Sequence, residues 1–131
     1  MQTDDARATA LKNLLGAFEV LDFDRVSELI AEDTVFDFPY GGYPPLEGRA
    51  AILEHLRTGM ANFVKSMDFT IQAIHPAVDS ELVFAEYTST AVRVDGGPYG
   101  NRYICILRLR AGKIVLFREF YNPVAIAAAK P

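Results

Sequence analysis

Residues 99–123 read YGNRYICILRLRAGKIVLFREFYNP, and the folding of this stretch decides how the remainder is read. Ile, Leu, Val, Phe and Tyr crowd both halves and Ala111-Gly112 interrupts them, so two strands joined by a tight turn are expected over 99–110 and 113–122. Side chains along a strand alternate between faces. Tyr103, Cys105 and Leu107 therefore share one face, and Arg102, Arg108 and Arg110 share the other. In the second strand Val115, Phe117, Glu119 and Tyr121 fall together, which places one carboxylate on an otherwise apolar and aromatic face.

Working outward, the run 81–94 reads as a further strand, set off by Asp79-Ser80 and by Asp95-Gly96-Gly97-Pro98. Before it, Met67, Phe69, Ile71, Ala73 and His75 alternate with polar residues, a strand with one buried face. Upstream the period lengthens. Leu11, Leu14, Leu15 and Phe18 predict a helix from Thr3 to Glu19 with Thr3 or Asp4 as its cap. Asp22 or Asp24 caps a second, short helix with Val26, Leu29 and Ile30 inside, ended by Glu32-Asp33 before a strand that begins at Thr34 and runs into Asp37. The segment from Pro39 to Gly48 is a Pro- and Gly-rich loop. Ile52, Leu56, Met60 and Phe63 predict a third helix over 49–65, with His55 on its flank. The fold class is thus α+β: three N-terminal helices wrapped by a curved antiparallel sheet, in a single domain spanning 1–131.

The whole chain has 131 residues, half of them apolar, enough for one core with a small internal cavity. Its net charge of −4 speaks against a phosphate backbone as partner, and no apolar run approaches the ~20 residues of a membrane span. The single cysteine, Cys105, and the polar start MQTDDARATA point to the cytoplasm. His55 and His75 lack the spacing of a metal site, and no glycine-rich phosphate loop is present, so neither metal nor nucleotide cofactor is expected.

Several residues are candidates for chemistry. Glu119 is either a buried acid/base group or a carboxylate paired to a neighbouring arginine. His55 is either a proton-transfer group or a half-buried packing residue. Asp37, before Phe38-Pro39, either starts a turn or enters a pocket. Glu86 is a pocket acid or a partner of the arginine stripe. Tyr103 and Cys105 line a cavity or fill the core, and Tyr40 and Tyr43 close over a flat ligand or pack the base of their loop.

Three motifs, Leu29-Ile-Ala-Glu-Asp-Thr-Val-Phe-Asp37, Glu47-Gly-Arg49 and Gly112-Lys-Ile with Arg118-Glu-Phe-Tyr-Asn-Pro123, resemble the SnoaL-like family of the nuclear-transport-factor-2-like superfamily. The last is similar to the final strand of phenazine-biosynthesis A/B proteins. The resemblance implies a cone-shaped sheet around an internal cavity, with Glu119 pointing inward as acid/base group and a histidine at the position of His55. It also places Gly59 where the phenazine pattern has serine, and Asp37 where ketosteroid isomerases keep their base. The oxyanion donors of those isomerases fall near Leu14 and Cys105, and the Arg-x-Asp of limonene-epoxide hydrolases falls at Tyr103-Ile-Cys105, so neither set is carried over. The expectation is a cofactor-free isomerase, cyclase, dehydratase or condensing enzyme for a small hydrophobic ring compound. Glu119, His55 and Asp37 are its catalytic candidates, and Tyr40, Phe63, Phe84, Phe117 and Tyr121 its apolar wall. Ile104, Ile106, Leu116 and Phe120 would form a homodimer face. The alternative is a ligand-binding or interaction module without catalysis.

Overall fold

The computed structural model describes residues 5–129. Helix α1, Ala6–Glu19, begins where the Asp5 carboxylate accepts the Arg7 backbone N–H at 2.8 Å. The expected caps Thr3 and Asp4 lie outside the described residues. Leu11, Leu14, Leu15 and Phe18 are all buried, so the predicted stripe is the face α1 lays on the sheet. A left-handed Leu21 turns the chain, and Asp22 caps helix α2, Phe23–Leu29, by accepting from Arg25.

Strand β1 starts at Ile30 rather than at Thr34, and runs to Asp37. Ile30 is fully buried, and its extended backbone ends α2 four residues earlier than the sequence suggests. The loop contains a two-residue strand β2, Leu46–Glu47, paired antiparallel to β1. Gly48 follows at φ +91°, a conformation that favours glycine, and opens helix α3, Arg49–His55. A π-helical turn, Leu56–Met60, carries α3 into the short helix α4, Ala61–Phe63.

Four long strands complete the sheet: β3, Val64–Pro76; β4, Leu82–Arg93; β5, Pro98–Arg110; and β6, Lys113–Tyr121. Their order is β2-β1-β6-β5-β4-β3. β3 to β6 form the expected meander, but β1 lies parallel to β6, so the sheet is mixed and not closed. That parallel pairing sets Asp37 beside Arg118.

Two of the sheet's register shifts alter the simple alternation at residues assigned to a face above. Between β3 and β4 the partners step from Ile71↔Tyr87 to Ala73↔Glu86, skipping Gln72. Ile74 consequently packs on the core, while Ala73 and His75 turn to the outer face, against expectation. Between β5 and β6 they step from Arg108↔Leu116 to Leu109↔Ile114, skipping Val115. Ile114 is therefore fully buried and Val115 is not, whereas Phe117 and Glu119, beyond the shift, face inward as predicted.

A final helix, α5, Pro123–Ala129, was not anticipated. Its signature is present: Asn122 accepts the Val124 N–H at 3.0 Å as a cap, and proline sits at the first helical position. Buried Asn101 ties this corner together, accepting from the Asn122 N–H at 2.9 Å and donating to its carbonyl at 3.0 Å.

Candidate active site

The concave face of the sheet does not pack fully against α1. A cavity of about 520 Å³ remains, bounded by Phe18 of α1, the α3–α4 segment, the loop after β1, and Pro123, Ile126 and Ala127 of α5. This lies within the range of ligand pockets. The π turn shapes one wall, since Leu56, Gly59 and Met60 all reach the cavity from it. Aromatic side chains supply most of the remainder, among them Phe38, Phe63, Phe69, Tyr99, Tyr103 and Tyr121.

Glu119 is the one carboxylate among the described lining residues, and only 8% of its surface is exposed. Its hydrogen-bond partner is the Tyr87 hydroxyl, which donates to Oε2. Tyr87 is itself fully buried, stacked on Tyr103 at 5.0 Å between ring centres and met edge-on by Phe69 at 5.6 Å. Packing thus fixes the donor before any ligand arrives. Burial pushes the Glu119 carboxyl up from 4.5 to about 7, and the Tyr87 bond, which favours the ionised form, offsets only part of this. The same burial, reinforced by the Glu119 charge, raises Tyr87 and Tyr103 and pushes the Cys105 thiol up to about 12. Near neutral pH, Glu119 can therefore both accept and donate a proton while the hydroxyls around it keep theirs.

Across the cavity, His55 Nε2 and the Tyr43 hydroxyl lie 3.1 Å apart, with Phe38 stacked 6.2 Å from the imidazole. Burial lowers the His55 pKa, so the ring is neutral at pH 7, and burial pushes Tyr43 up to about 12. A side chain at Gly59 would start 3.8 Å from His55 Nε2, so glycine here leaves that nitrogen to Tyr43 and to the cavity. Gly41 is far more constrained: a Cβ there would meet Tyr43 at 2.8 Å and the Tyr121 hydroxyl at 3.0 Å. The loop lies close over both tyrosines.

The sequence-derived candidates separate into two groups. Glu119, His55, Phe63, Tyr103 and Tyr121 all line the cavity, and Tyr40 lies at its rim, 58% exposed. Cys105 and Phe117 are fully buried in the core behind it; Phe117 packs on Phe36 at 5.2 Å. Phe84 and Glu86 are on the opposite face of the sheet, because the inward residues of β4 are Val83, Ala85, Tyr87 and Ser89. Glu86 pairs there with His75 at 2.9 Å, not with the arginines, of which Arg108 and Arg110 hold Glu81. Asp37 also lies outside the cavity lining, its Oδ2 accepting from Arg118 Nε at 2.9 Å. Parallel pairing of β1 with β6 draws it there, and no single-strand pattern announces such a partner.

Tyr87 and Tyr99 were missed. Tyr87 shares strand parity with buried Val83 and Ala85, a signal legible in the sequence, whereas Glu86 has the opposite parity. Tyr99 accepts from Asn101 Nδ2 at 2.7 Å and meets Phe63 edge-on at 5.0 Å, and Tyr103 pairs with Ser89 at 2.8 Å. The Tyr121 hydroxyl makes no hydrogen bond to another described residue.

A further depression accompanies the cavity. Of about 540 Å³, it is a groove on the convex face bordered by Gln72, Glu86, Arg102, Ile104 and Phe120. Among its described lining residues the one carboxylate, Glu86, is exposed and paired with His75. Among the described residues no cluster of three or more metal-type ligands occurs, and no helix is long and apolar enough to cross a membrane.

Comparison with known proteins agrees with this architecture. The sequence profile of the SnoaL-like domain matches residues 11–117. A protein of Bacillus subtilis named YesE, without a characterised function, is 31% identical over 112 residues, 82% of this chain and 76% of its own. A PhzA/B-like protein of Pseudomonas aeruginosa, likewise uncharacterised, is 33% identical over 103 residues, 74% of this chain and 70% of its own. A crystal structure from Bacillus subtilis, provisionally named an isomerase, superimposes with a TM-score of 0.84 at 27% identity, covering 98% of this chain and 95% of that one. With the helices, the mixed curved sheet and the cavity in place, the chain belongs to the SnoaL-like family.

Proposed function

We propose that this protein is a cofactor-free acid/base enzyme that moves a proton on a small hydrophobic ring compound held in the cavity. The observation that carries the reading is Glu119: a buried carboxylate, hydrogen-bonded by one fixed hydroxyl, with its pKa raised to about 7 by desolvation. Aromatic walls hold a ring by apolar burial, and a carboxylate at this pKa takes a proton from carbon beside a carbonyl or imine and returns it elsewhere. Tyr121, with an uncommitted hydroxyl, and the His55–Tyr43 pair are placed to polarise or orient the acceptor oxygen. Isomerisation, cyclisation, dehydration and condensation all pass through such a proton transfer. The names of the relatives, PhzA/B-like and isomerase, accord with this range.

The test is Glu119→Gln, which keeps the side chain's shape and the Tyr87 hydrogen bond but removes the titrating group. Turnover of ring ketones or enamines in a substrate screen should disappear with folding intact. A variant as active as the wild type would overturn the assignment.

A homodimer through the convex face is the second part of the proposal. Ile104 is 51% exposed there, with Ile106, Leu116 and Phe120 half-buried beside it. Such an apolar patch suits a self-complementary contact. Sedimentation velocity should give a dimer that Ile104→Lys converts to monomer; a wild-type monomer at micromolar concentration contradicts it.

A further inference from the structure

The cavity carries a sign. Among its described lining residues no lysine or arginine occurs, and Glu119 is their one carboxylate. The arginines of the neighbouring strands lie elsewhere: Arg118 holds Asp37, Arg108 and Arg110 hold Glu81, Arg93 holds Asp95, and Arg102 borders the groove on the convex face. We propose that the site takes an uncharged, carbonyl-bearing compound of one or two rings and rejects its carboxylate counterpart. This rests on the reading above of the cavity as the ligand site and adds which ring compounds it admits.

A carboxylate drawn into this space would lose its water and find no cation to replace it, a cost that only pairing or hydrogen bonding offsets. It would also meet the charge of Glu119 across a water-poor gap. Repulsion between like charges grows as the local dielectric falls. A ketone oxygen escapes both penalties and still finds donors, since Tyr121 is uncommitted and Tyr99 accepts from Asn101 while keeping its own proton.

No other group near Glu119 supplies a compensating charge. Tyr87 of β4, Tyr99, Tyr103 and Cys105 of β5, and Tyr121 of β6 all have pKa values raised by burial, and are neutral at pH 8.5. Tyr43 of the loop is likewise raised, and His55 of α3 is lowered, so both are uncharged. Above pH 6.5, the ordinary histidine value from which burial lowers His55, rejection of an anion should therefore follow the ionisation of Glu119.

The experiment compares two probes of equal size, 2-acetylnaphthalene and 2-naphthoate, by calorimetry and tyrosine-fluorescence quenching between pH 5.5 and 8.5. At pH 8.5 the ketone should bind at least tenfold more tightly than the acid. Naphthoate affinity should fall as pH rises through about 7, and Glu119→Gln should remove that fall while leaving ketone binding nearly independent of pH. Naphthoate binding as tightly as the ketone at pH 8.5, an unchanged naphthoate pH profile in Glu119→Gln, or no binding of either probe at millimolar concentration overturns the proposal. The two readings fail separately. Turnover retained in Glu119→Gln while the wild type still discriminates the two probes removes the acid/base role alone, and turnover lost in Glu119→Gln while the wild type fails to discriminate them removes charge selection alone.

Discussion

Asp37 and Glu119 lie near the ends of neighbouring strands, and their surroundings differ in every respect that sets a carboxylate's behaviour. Asp37 accepts from Arg118 at 2.9 Å at the edge of the sheet. Glu119, the next residue after that arginine, points the other way into an aromatic cavity and receives one tyrosine hydroxyl. Farther along the sheet Glu81 repeats the first pattern, held below the usual carboxylate range by Arg110 and Arg108. Strand alternation alone thus sorts acids on one sheet into a structural set with cationic partners and one member poised near neutrality. A perturbed acid in a cavity is more informative about function than a paired one on a surface.

The comparison breaks most visibly in catalysis. Glu119→Gln should lower turnover by about 10²–10⁴-fold, the usual worth of a positioned acid/base group; circular dichroism verifies that the fold persists. A drop of that size in Asp37→Asn instead would reverse the assignments of the two carboxylates.

Stability supplies the next contrast. The folded pKa of Glu119 lies above its unfolded value, so between pH 4.5 and about 7 the folded state binds more protons. The stabilisation it contributes is complete below pH 4.5 and is lost as pH rises through 7. Glu119→Gln removes this penalty and should be more stable than wild type by up to about 3 kcal/mol at pH 8.5, with no gain at pH 4. Urea unfolding at the two pH values measures it.

Tyr87→Phe sharpens the comparison further. Loss of a hydrogen bond that favours the charged form should raise the Glu119 midpoint by roughly one pH unit, seen as a shift of the acidic limb of the pH–rate profile. Asp37→Asn is the smallest effect: about 1 kcal/mol or less of stability, and an unmoved pH profile. A shifted profile would bring Asp37 into the site despite its place outside the lining.

The pattern of the sequence carried far where strands were regular. Phe117, Glu119 and Tyr121 were assigned to one face from spacing alone, and the apolar stripe of α1 is buried as written. It failed at the register shifts. Gln72 and Val115 each add a residue, so Ala73, His75 and Val115 lie on faces opposite to their predicted ones. Phe84 and Glu86 were placed in the pocket without their strand's own alternation being applied. Long-range pairing was beyond reach: nothing near Asp37 names Arg118, 81 residues away, as its partner. Tyr43 facing His55 depends on a loop whose path is set by close contacts at Gly41, which no period records. Helix α5, by contrast, is legible in an Asn cap, a proline at its start and an alanine-rich body.

The central claim is that Glu119 titrates near neutrality because it is buried without a cation. Carbon-13 NMR of the protein labelled at glutamate side-chain carboxyls, assigned through Glu119→Gln and titrated from pH 3 to 9, tests it directly. The account predicts a Glu119 midpoint at about 7, with Glu81 below the ordinary glutamate value. A Glu119 midpoint near 4.5 would contradict it.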